Sequence, residues 1–231
     1  MKNVFITGTN RGLGLELAKQ YLNRGEKVFA TCRDSSKSVE LESLRKSADG
    51  NLEIIELNLF SDESINQVSK SIDDQPIDLF INNAGMMGPR NISLGAVSGS
   101  IWAEVFRVNT IAPLLLAQAL LANIEKGQEK KMIFMSSRVG SIQENSGGSM
   151  YSYRSSKTAL NQVVKSLSVD LFESNICAVA LHPGWVLTDM GGPNALIDVK
   201  TSVSGMISVI EKLLLSDTGK FFNYDGSHIY W

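Results

Sequence analysis

Short apolar runs alternate along the chain with longer amphipathic stretches, and this alternation restricts the possible folds more than any other feature. NVFIT at 3–7 precedes a helical pattern at 13–24, and KVFAT at 27–31 precedes another at 38–48. The same order continues through apolar runs at 51–57, 77–82, 132–137, 176–182 and 220–223, with helical patterns at 62–72, 101–124, 150–172 and 201–215. Strands without a polar face, each followed by a helix, are typical of a parallel sheet covered on both sides.

This order predicts an α/β fold, a single-domain doubly wound parallel sheet of the Rossmann type with helices on both faces. The sequence shows no internal repeat, low-complexity segment or linker, so residues 1–231 are predicted to form one domain. In such sheets ligands bind at the carboxyl ends of the strands. The motifs described below all fall at such ends.

Composition narrows the class of protein further. The formal net charge of −2 gives no basic field for nucleic acid or an anionic membrane. The apolar run at 111–122 is too short to span a bilayer, and the N-terminus MKNVFITG is not a signal peptide. Cys32 and Cys177 lie in strand-like segments, which favours two reduced core cysteines. We therefore expect a cytoplasmic protein without nucleic-acid or membrane partners.

A glycine-rich turn, TGTNRGLG at 7–14, connects the first strand to the first helix. Glycines at 8, 12 and 14 would let the backbone approach a pyrophosphate, and the helix N-terminus would direct its free N–H groups at that anion. The spacing is G-x-x-x-G-x-G, not the G-x-G-x-x-G dinucleotide fingerprint. A tight turn without a ligand remains the alternative.

The residues after the second strand bear on the type of dinucleotide. Arg33 would attract a ribose 2′-phosphate, whereas Asp34 would bind the free ribose hydroxyls and repel that phosphate. The spacing from the glycine turn fits Asp34 and by itself suggests NAD. However, the neutral Cys32 is predicted to end the strand, and Arg11 adds a second cation, so NADP is favoured. The alternative is that Arg33 and Asp34 are both solvated loop charges.

The chain at this point resembles the short-chain dehydrogenase/reductase family. The resemblance rests on six motifs in order: TGTNRGLG at 7–14, NNAG at 82–85, Asn109, the pair Ser136–Ser137, YRSSK at 153–157 and HPGWVLTDM at 182–190. It covers nearly the whole chain. Within the family, YRSSKTALN, LHPGWVLTDMGG and FFNYDG are most similar to Sniffer-type carbonyl reductases and the bacterial C-factor proteins. The resemblance implies NADPH-dependent reduction of a ketone or aldehyde.

The resemblance implies a catalytic tetrad of Asn109, Ser137, Tyr153 and Lys157. Tyr153 would be the acid/base, Ser137 would orient the carbonyl, and Asn109 would bind a water that links Lys157 to solvent. The spacing agrees, because Lys157 follows Tyr153 by one helical turn, whereas Tyr151 lies on another side of the helix. A cation about 4 Å away would lower a phenol pKa by at most about 3 units, towards 7, with desolvation opposing it.

Cofactor contacts are expected along the same edge, and no metal site is expected. The predicted cofactor-binding residues are Gly8, Asn10, Arg11, Gly12, Leu13, Gly14, Arg33, Asn58, Leu59, Asn83, Ala84, Gly85, Tyr153, Lys157, Pro183, Gly184, Val186 and Thr188. Asn58 departs from the family, which usually has Asp in contact with the adenine amino group. Asn keeps a carbonyl acceptor, so we expect that contact to weaken and not to disappear.

The segment after the sixth strand suggests the nature of the substrate. Trp185 and Met190 favour an apolar carbonyl compound, and glycines at 191 and 192 could act as hinges of a lid. His182 is interpreted as structural. The resemblance also implies a homo-dimer or homo-tetramer formed through the helices at 101–124 and 150–172.

Two other functions remain open. The C-factor resemblance favours a nucleotide-binding signalling or developmental protein whose role does not require turnover. A hydrolase on the same fold is disfavoured, because no Ser-His-Asp arrangement is recognisable and both histidines are expected to lie away from Ser137.

Overall fold

The protein is built on a seven-stranded parallel sheet. The computed structural model describes residues 1–90, 92 and 94–231. The strands are β1 (Asn3–Ile6), β2 (Lys27–Cys32), β3 (Leu52–Glu56), β4 (Leu79–Asn82), β5 (Lys131–Met135), β6 (Cys177–His182) and β7 (Phe221–Asn223). Their spatial order is β3-β2-β1-β4-β5-β6-β7, and every neighbouring pair is parallel. The strand order runs one way from β1 to β3 and the other way from β4 to β7, and such sheets bind ligands at this switch point between β1 and β4. The predicted α/β, doubly wound fold is confirmed.

Seven α-helices cover the two faces of the sheet. They are α1 (Gly12–Asn23), α2 (Val39–Lys46), α3 (Asp62–Ser71), α4 (Gly99–Phe106), α5 (Ala112–Lys126), α6 (Tyr151–Asp170) and α7 (Val199–Lys212). Adjacent residues of β1 belong to opposite faces of the sheet. Phe5 belongs to a buried cluster with α3, α5 and α6, and Ile6 to another with α1, α2 and α7. Two apolar cores on one sheet explain why the strands lack a polar face. Apart from the helix predicted at 101–124, the helical spans differ from the predicted ones only at their ends.

One helical segment departs from expectation in a way that matters for the site. The sequence predicted a helix at 101–124 interrupted by Pro113, but the helical segment Gly99–Lys126 is continuous, and Pro113 occupies the first turn of α5. The irregularity comes earlier, as a π-helical turn over Arg107–Ile111. The irregular turn ends two residues before Pro113, whose ring and missing N–H do not fit the regular hydrogen bonds of an α-helix interior.

The same segment also changes the reasoning about membranes. It has 28 residues, and an 18-residue window within it has a mean hydropathy of 1.6, so its length and composition would suffice to cross a bilayer, whereas the run at 111–122 by itself would not. Half of that window is buried inside the protein, and Leu116, Leu120 and Ile124 belong to the core. A half-buried, apolar helix of this kind is also the pattern of a core helix in a globular protein.

Candidate active site

Close backbone packing shapes the glycine turn between β1 and α1. Gly8 has φ +69°, and a Cβ added there would lie 3.0 Å from the Cα of Ala84. A Cβ on Gly14 would lie 2.1 Å from the carbonyl oxygen of Gly8 and 2.6 Å from Nδ2 of Asn83. Glycine is therefore required at both positions, since any side chain would push the turn away from α1 or from the loop after β4.

The NNAG stretch holds this turn in place. Nδ2 of Asn83 donates to the carbonyls of Thr7 (2.9 Å) and Gly8 (3.2 Å), and the backbone N–H of Ala84 donates to Oγ1 of Thr7 (2.9 Å). These bonds join the ends of β1 and β4. Thr7, which accepts two of these bonds through its carbonyl and its hydroxyl, was not among the predicted site residues.

The start of α1 fits an anionic group. Arg11 precedes the helix without a side-chain capping bond, and the first turn contains no acidic residue, so the N–H groups there lack a capping side chain. The side-chain amide of Asn82, fully buried nearby at the end of β4, has no hydrogen-bond partner among the described residues. A glycine cradle, an uncapped helix N-terminus and an unpaired buried amide together suit a dinucleotide.

In the loop after β2, the two residues that bear on the type of dinucleotide have different surroundings. Asp34 accepts hydrogen bonds from the N–H and hydroxyl of Ser36 and pairs with Lys37 at 2.8 Å. Lys37 and Ser36 hold the pKa of the Asp34 carboxyl down at about 2. Arg33 is exposed and forms no ion pair within the part of the chain that the structure describes. The carboxylate is thus bound within its own loop, and the guanidinium is available to a ligand.

Tyr153 and Lys157 lie side by side on α6, both buried. Nζ of Lys157 lies 5.9 Å from the centre of the Tyr153 ring and donates to the carbonyl of Met135 at the end of β5 (2.7 Å). The Ser137 hydroxyl, two residues beyond β5, is near enough to the phenol to oppose the rise of its pKa. The strand predicted at 132–137 ends earlier, at Met135, because a short 3₁₀ turn begins after Ser137. Three of the four predicted catalytic residues are therefore together.

Burial shifts the pKa values of Tyr153 and Lys157 in opposite directions. Burial raises the pKa of the Tyr153 phenol to about 12, although the nearby Ser137 hydroxyl opposes this. Burial also lowers the pKa of Lys157 to about 8. The sequence set a shift towards 7 as the most that the lysine could bring about, with desolvation opposing it. In this structure desolvation is the largest effect on the phenol, and the Lys157 ammonium donates to the Met135 carbonyl.

Asn109 lies in the π-helical turn and binds the loop after β4. Its Oδ1 accepts from the N–H of Met86 (2.9 Å), and its Nδ2 donates to the Met86 carbonyl (2.8 Å) and to the Ser156 hydroxyl (3.0 Å). The sequence predicted a water on this side chain, whereas these bonds are to protein groups. Ser156 is fully buried and links Asn109 to the carbonyl of Tyr153. A Cβ on Gly85 would lie 3.3 Å from Oδ1 of Asn109 and 3.6 Å from Nζ of Lys157.

The chain after β6 folds into a compact segment over 185–197. Val186 is buried and bridges to Ile197, and the indole N–H of Trp185 donates to the carbonyl of Gly191 (2.8 Å). The Thr188 hydroxyl accepts from the N–H of Gly191 (3.0 Å). Hinges were expected at glycines 191 and 192, but Gly191 is held by this turn inside the segment. Gly184, with φ +86°, packs against Ile197 and Tyr224, and the Pro183 carbonyl accepts from Ser202.

Other predicted cofactor residues differ in their surroundings. Arg11 was predicted to face a 2′-phosphate, but its guanidinium forms an ion pair with Asp189. Oδ1 of Asn58, the expected adenine acceptor, receives the N–H of Phe60 at 3.1 Å. Leu59 is buried and accepts from Arg107 through its carbonyl (2.9 Å). Asn10 is exposed. Gly12 and Leu13 lie in the glycine turn and Gly85 in the NNAG loop, at the same edge of the sheet.

His182 lies nearer to the serine pair than the sequence suggested. It follows Leu181, which pairs with Met135, so it ends β6 beside the pair at 136–137. The Ser136 hydroxyl, however, donates to Oδ1 of Asn161, and Nδ1 of His182 has no hydrogen-bond partner among the residues that the structure covers. A nucleophile–base pair of the hydrolase type is thus not formed by these side chains.

Comparison with known proteins agrees with this geometry. The family model for short chain dehydrogenases matches residues 2–195. The C-signal of Myxococcus xanthus is 42% identical over 156 residues, 68% of this chain and 93% of that protein. The carbonyl reductase Sniffer of D. melanogaster superimposes with a TM-score of 0.94 at 40% identity over all of both chains. NADPH-bound carbonyl reductase from chicken fatty liver gives 0.93 at 37%, over 100% of this chain and 99% of that one.

The fold, the order of the motifs and these similarities lead to one conclusion. A family model that covers most of the chain and whole-length structural relatives at 37% and 40% identity leave no part of the sheet unaccounted for. The chain belongs to the short-chain dehydrogenase family.

Proposed function

We propose that this protein reduces a ketone or aldehyde carbonyl with NADPH. The observation that carries the proposal is the burial of Tyr153 and Lys157 together at the carboxyl edge of the sheet, with Ser137 near the phenol. The glycine turn that suits an anion lies at the same edge. Structural relatives named carbonyl reductases support the substrate class.

We assign a separate role in the reduction to each of these residues. The dinucleotide would supply the hydride, which the protein has no group of its own to provide. Tyr153 is protonated throughout the physiological range, because its pKa is raised to about 12, so it can donate a proton to the developing alkoxide. Ser137 would donate a second hydrogen bond to the same oxygen. Lys157 would favour the phenolate once the proton has left.

Mutation of the two neighbouring tyrosines tests this assignment. Tyr153→Phe should lower kcat by about 100-fold or more, the usual effect of losing a general acid. Tyr151→Phe is the matched control, since Tyr151 is 39% exposed and lies at the start of the same helix. The measurement is NADPH oxidation with a panel of carbonyl compounds. Equal rates for Tyr153→Phe and wild type would exclude Tyr153 as the proton donor.

The preference for NADPH rests on the loop after β2. Arg33 is free to meet a 2′-phosphate, while Asp34 is bound to Ser36 and Lys37. The chicken carbonyl reductase binds NADPH, in agreement with this choice. Arg33→Met should weaken NADPH binding and leave NADH binding unchanged, with Arg45→Met on α2 as the control. Tighter binding of NADH than NADPH by the wild type would contradict the preference.

An apolar substrate is favoured by the segment after β6. Trp185, Leu187 and Met190 are 49%, 45% and 38% exposed, which is unusual for such large apolar side chains in one short segment. The panel should therefore contain carbonyl compounds of increasing apolar surface. We expect kcat/KM to rise along the series; a constant value would argue against an apolar pocket.

A second candidate function is a signalling role that does not require turnover. The similarity to the C-signal of Myxococcus xanthus favours it. The buried Tyr153 and Lys157 argue against it, because a protein that only binds a nucleotide has no need to bury a proton donor beside a cation. A Tyr153→Phe strain that keeps the wild-type cellular phenotype would favour the signalling role.

A further inference from the structure

Three loops that are distant in sequence meet above the glycine turn. Arg11, at the start of α1, forms an ion pair with Asp189 of the segment over 185–197. Arg90, from the loop after β4, donates to the backbone carbonyls of Asp189 (2.9 Å) and Met190. We call Arg11, Arg90 and Asp189 the latch.

The latch lies at the mouth of the anion site. A Cβ on Gly12, the first residue of α1, would be 3.8 Å from the methyl group of Thr188, so the segment lies next to the turn. Arg11 and Asp189 stand on opposite sides of this contact. Because Arg11 directly precedes the uncapped N-terminus of α1, a phosphate group bound there would lie near this ion pair.

The segment behind the latch behaves as one body. Trp185 bonds to Gly191, Thr188 bonds to Gly191, and the N–H of Leu187 donates to the Ile197 carbonyl (2.9 Å), so the bonds at its centre are internal. Its tip is fastened to the rest of the protein through Asp189 and Met190. The tip can therefore lift without unfolding the segment.

We propose that Asp189 and Arg90 are positioning residues that hold this segment closed over the bound dinucleotide and so limit its rate of release. The inference rests on the proposed function, because it requires a dinucleotide on the glycine turn. It also gives a role to Arg11, which was predicted to meet a 2′-phosphate and in this structure pairs with Asp189.

The direction of the change in the NADPH release rate distinguishes the latch from a simple effect of charge. Asp189 is a negative charge beside a site for an anion, so its neutralisation would by charge alone slow the release of NADPH. Loss of the latch predicts the opposite. Because both side chains are largely exposed, the expected change is modest, about a two- to five-fold faster release for Asp189→Asn.

The experiment measures NADPH dissociation by stopped-flow fluorescence, with excess NADP⁺ as the displacing ligand. Asp189→Asn and Arg90→Met should release NADPH faster than wild type, and Asp189→Glu should restore the slow rate. The ratio of Asp189→Asn to wild type should approach one at about 0.5 M salt, where the ion pair is screened. Asp74→Asn is the matched control: its carboxylate is also largely exposed and pairs with Lys126, and it lies before β4, at the opposite edge of the sheet.

The outcomes distinguish the two proposals. A wild-type protein that binds no NADPH overturns the proposed function and the latch with it. A wild type that binds NADPH, with release from Asp189→Asn equal to or slower than wild type, overturns the latch alone. Faster release from Asp74→Asn as well would show a general effect of charge and would also overturn the latch.

Discussion

At the scale of single residues, burial dominates the chemistry of the site. The pKa of Tyr153 rises and that of Lys157 falls, and in both cases loss of hydration is the largest cause. Each group is thereby biased towards its neutral form. The consequence suits a proton donor, since the phenol remains protonated, whereas a phenolate near neutral pH would suit the reverse reaction.

His182 gives a prediction for stability against pH. Burial and the nearby Arg138 lower the pKa of its imidazole to about 4, against 6.5 for the free group. The unfolded chain therefore binds more protons between pH 6.5 and 4, so the free energy of unfolding falls as the pH drops through this range, by up to about 3 kcal/mol. His182→Gln should lose this part of the pH dependence in urea unfolding at pH 4.5 and 7.

The exposed histidine is the control for that measurement. His228→Gln should keep the pH dependence of wild type, because His228 is on the surface. If His182→Gln and wild type lose the same free energy between pH 7 and 4.5, the buried imidazole is not the cause.

At the scale of elements, two irregular pieces decide where the site forms. The first is the contact between α1 and the turn before it, which tolerates no side chain at Gly14. Gly14→Ala should lower the free energy of unfolding by about 1–3 kcal/mol, as overpacking usually does. It should also weaken NADPH binding in a fluorescence titration, because the turn is displaced.

Gly99, the first residue of α4, provides the comparison. A Cβ there meets none of the described residues within 4 Å, so Gly99→Ala should leave NADPH binding unchanged and raise stability by about 0.4–1 kcal/mol. NADPH binding by Gly14→Ala as tight as that of Gly99→Ala would contradict the role given to the turn.

The second irregular piece is the π-helical turn that carries Asn109. Asn109→Ala removes three hydrogen bonds and leaves the N–H of Met86 without its partner, which should cost about 1–3 kcal/mol. The loop after β4 would then loosen beside Lys157, so kcat should fall as well. Denaturant unfolding and steady-state rates measure the two effects.

Asn123 is the matched control within the same helical segment. Its Nδ2 donates to the carbonyls of Asp73 (3.0 Å) and Gln75 (2.8 Å), at the opposite end of the sheet from the site. Asn123→Ala should lower stability by a similar amount without changing kcat. An equal loss of kcat in both variants would mean that Asn109 acts only through general stability.

At the scale of the whole molecule, the two apolar clusters share one sheet. Alternate residues of β1, β2, β4, β5 and β6 contribute to both clusters. The prediction of one domain over 1–231 therefore leads us to expect a single cooperative unfolding transition. Its test is coincidence of far-ultraviolet circular dichroism and fluorescence from Trp102, Trp185 and Trp231. Separated transitions would indicate two folding units.

The oligomeric state stays a prediction at this scale. On α5 and the turn before it, Ile111 and Leu114 are 45% and 39% exposed, which is compatible with the homo-dimer or homo-tetramer that the resemblance implies. The cytoplasmic location also remains a prediction.

The sequence by itself determined the fold and the chemical groups. Apolar strands with a helix after each can satisfy their burial only as a parallel sheet with two covered faces, and the motifs then fall at one edge of it. Tyr153 and Lys157 could be paired from their spacing, because one helical turn is a local property.

Only the tertiary structure decided the states and partners of those groups. The pKa values of Tyr153 and Lys157 depend on how much water the surrounding helices exclude, which no local pattern records. Asn109 is bound to Met86, and Arg11 to Asp189, across 23 and 178 residues of sequence. Contacts over such separations form only when distant loops meet at the carboxyl edge, so the sequence named the residues but not what they hold.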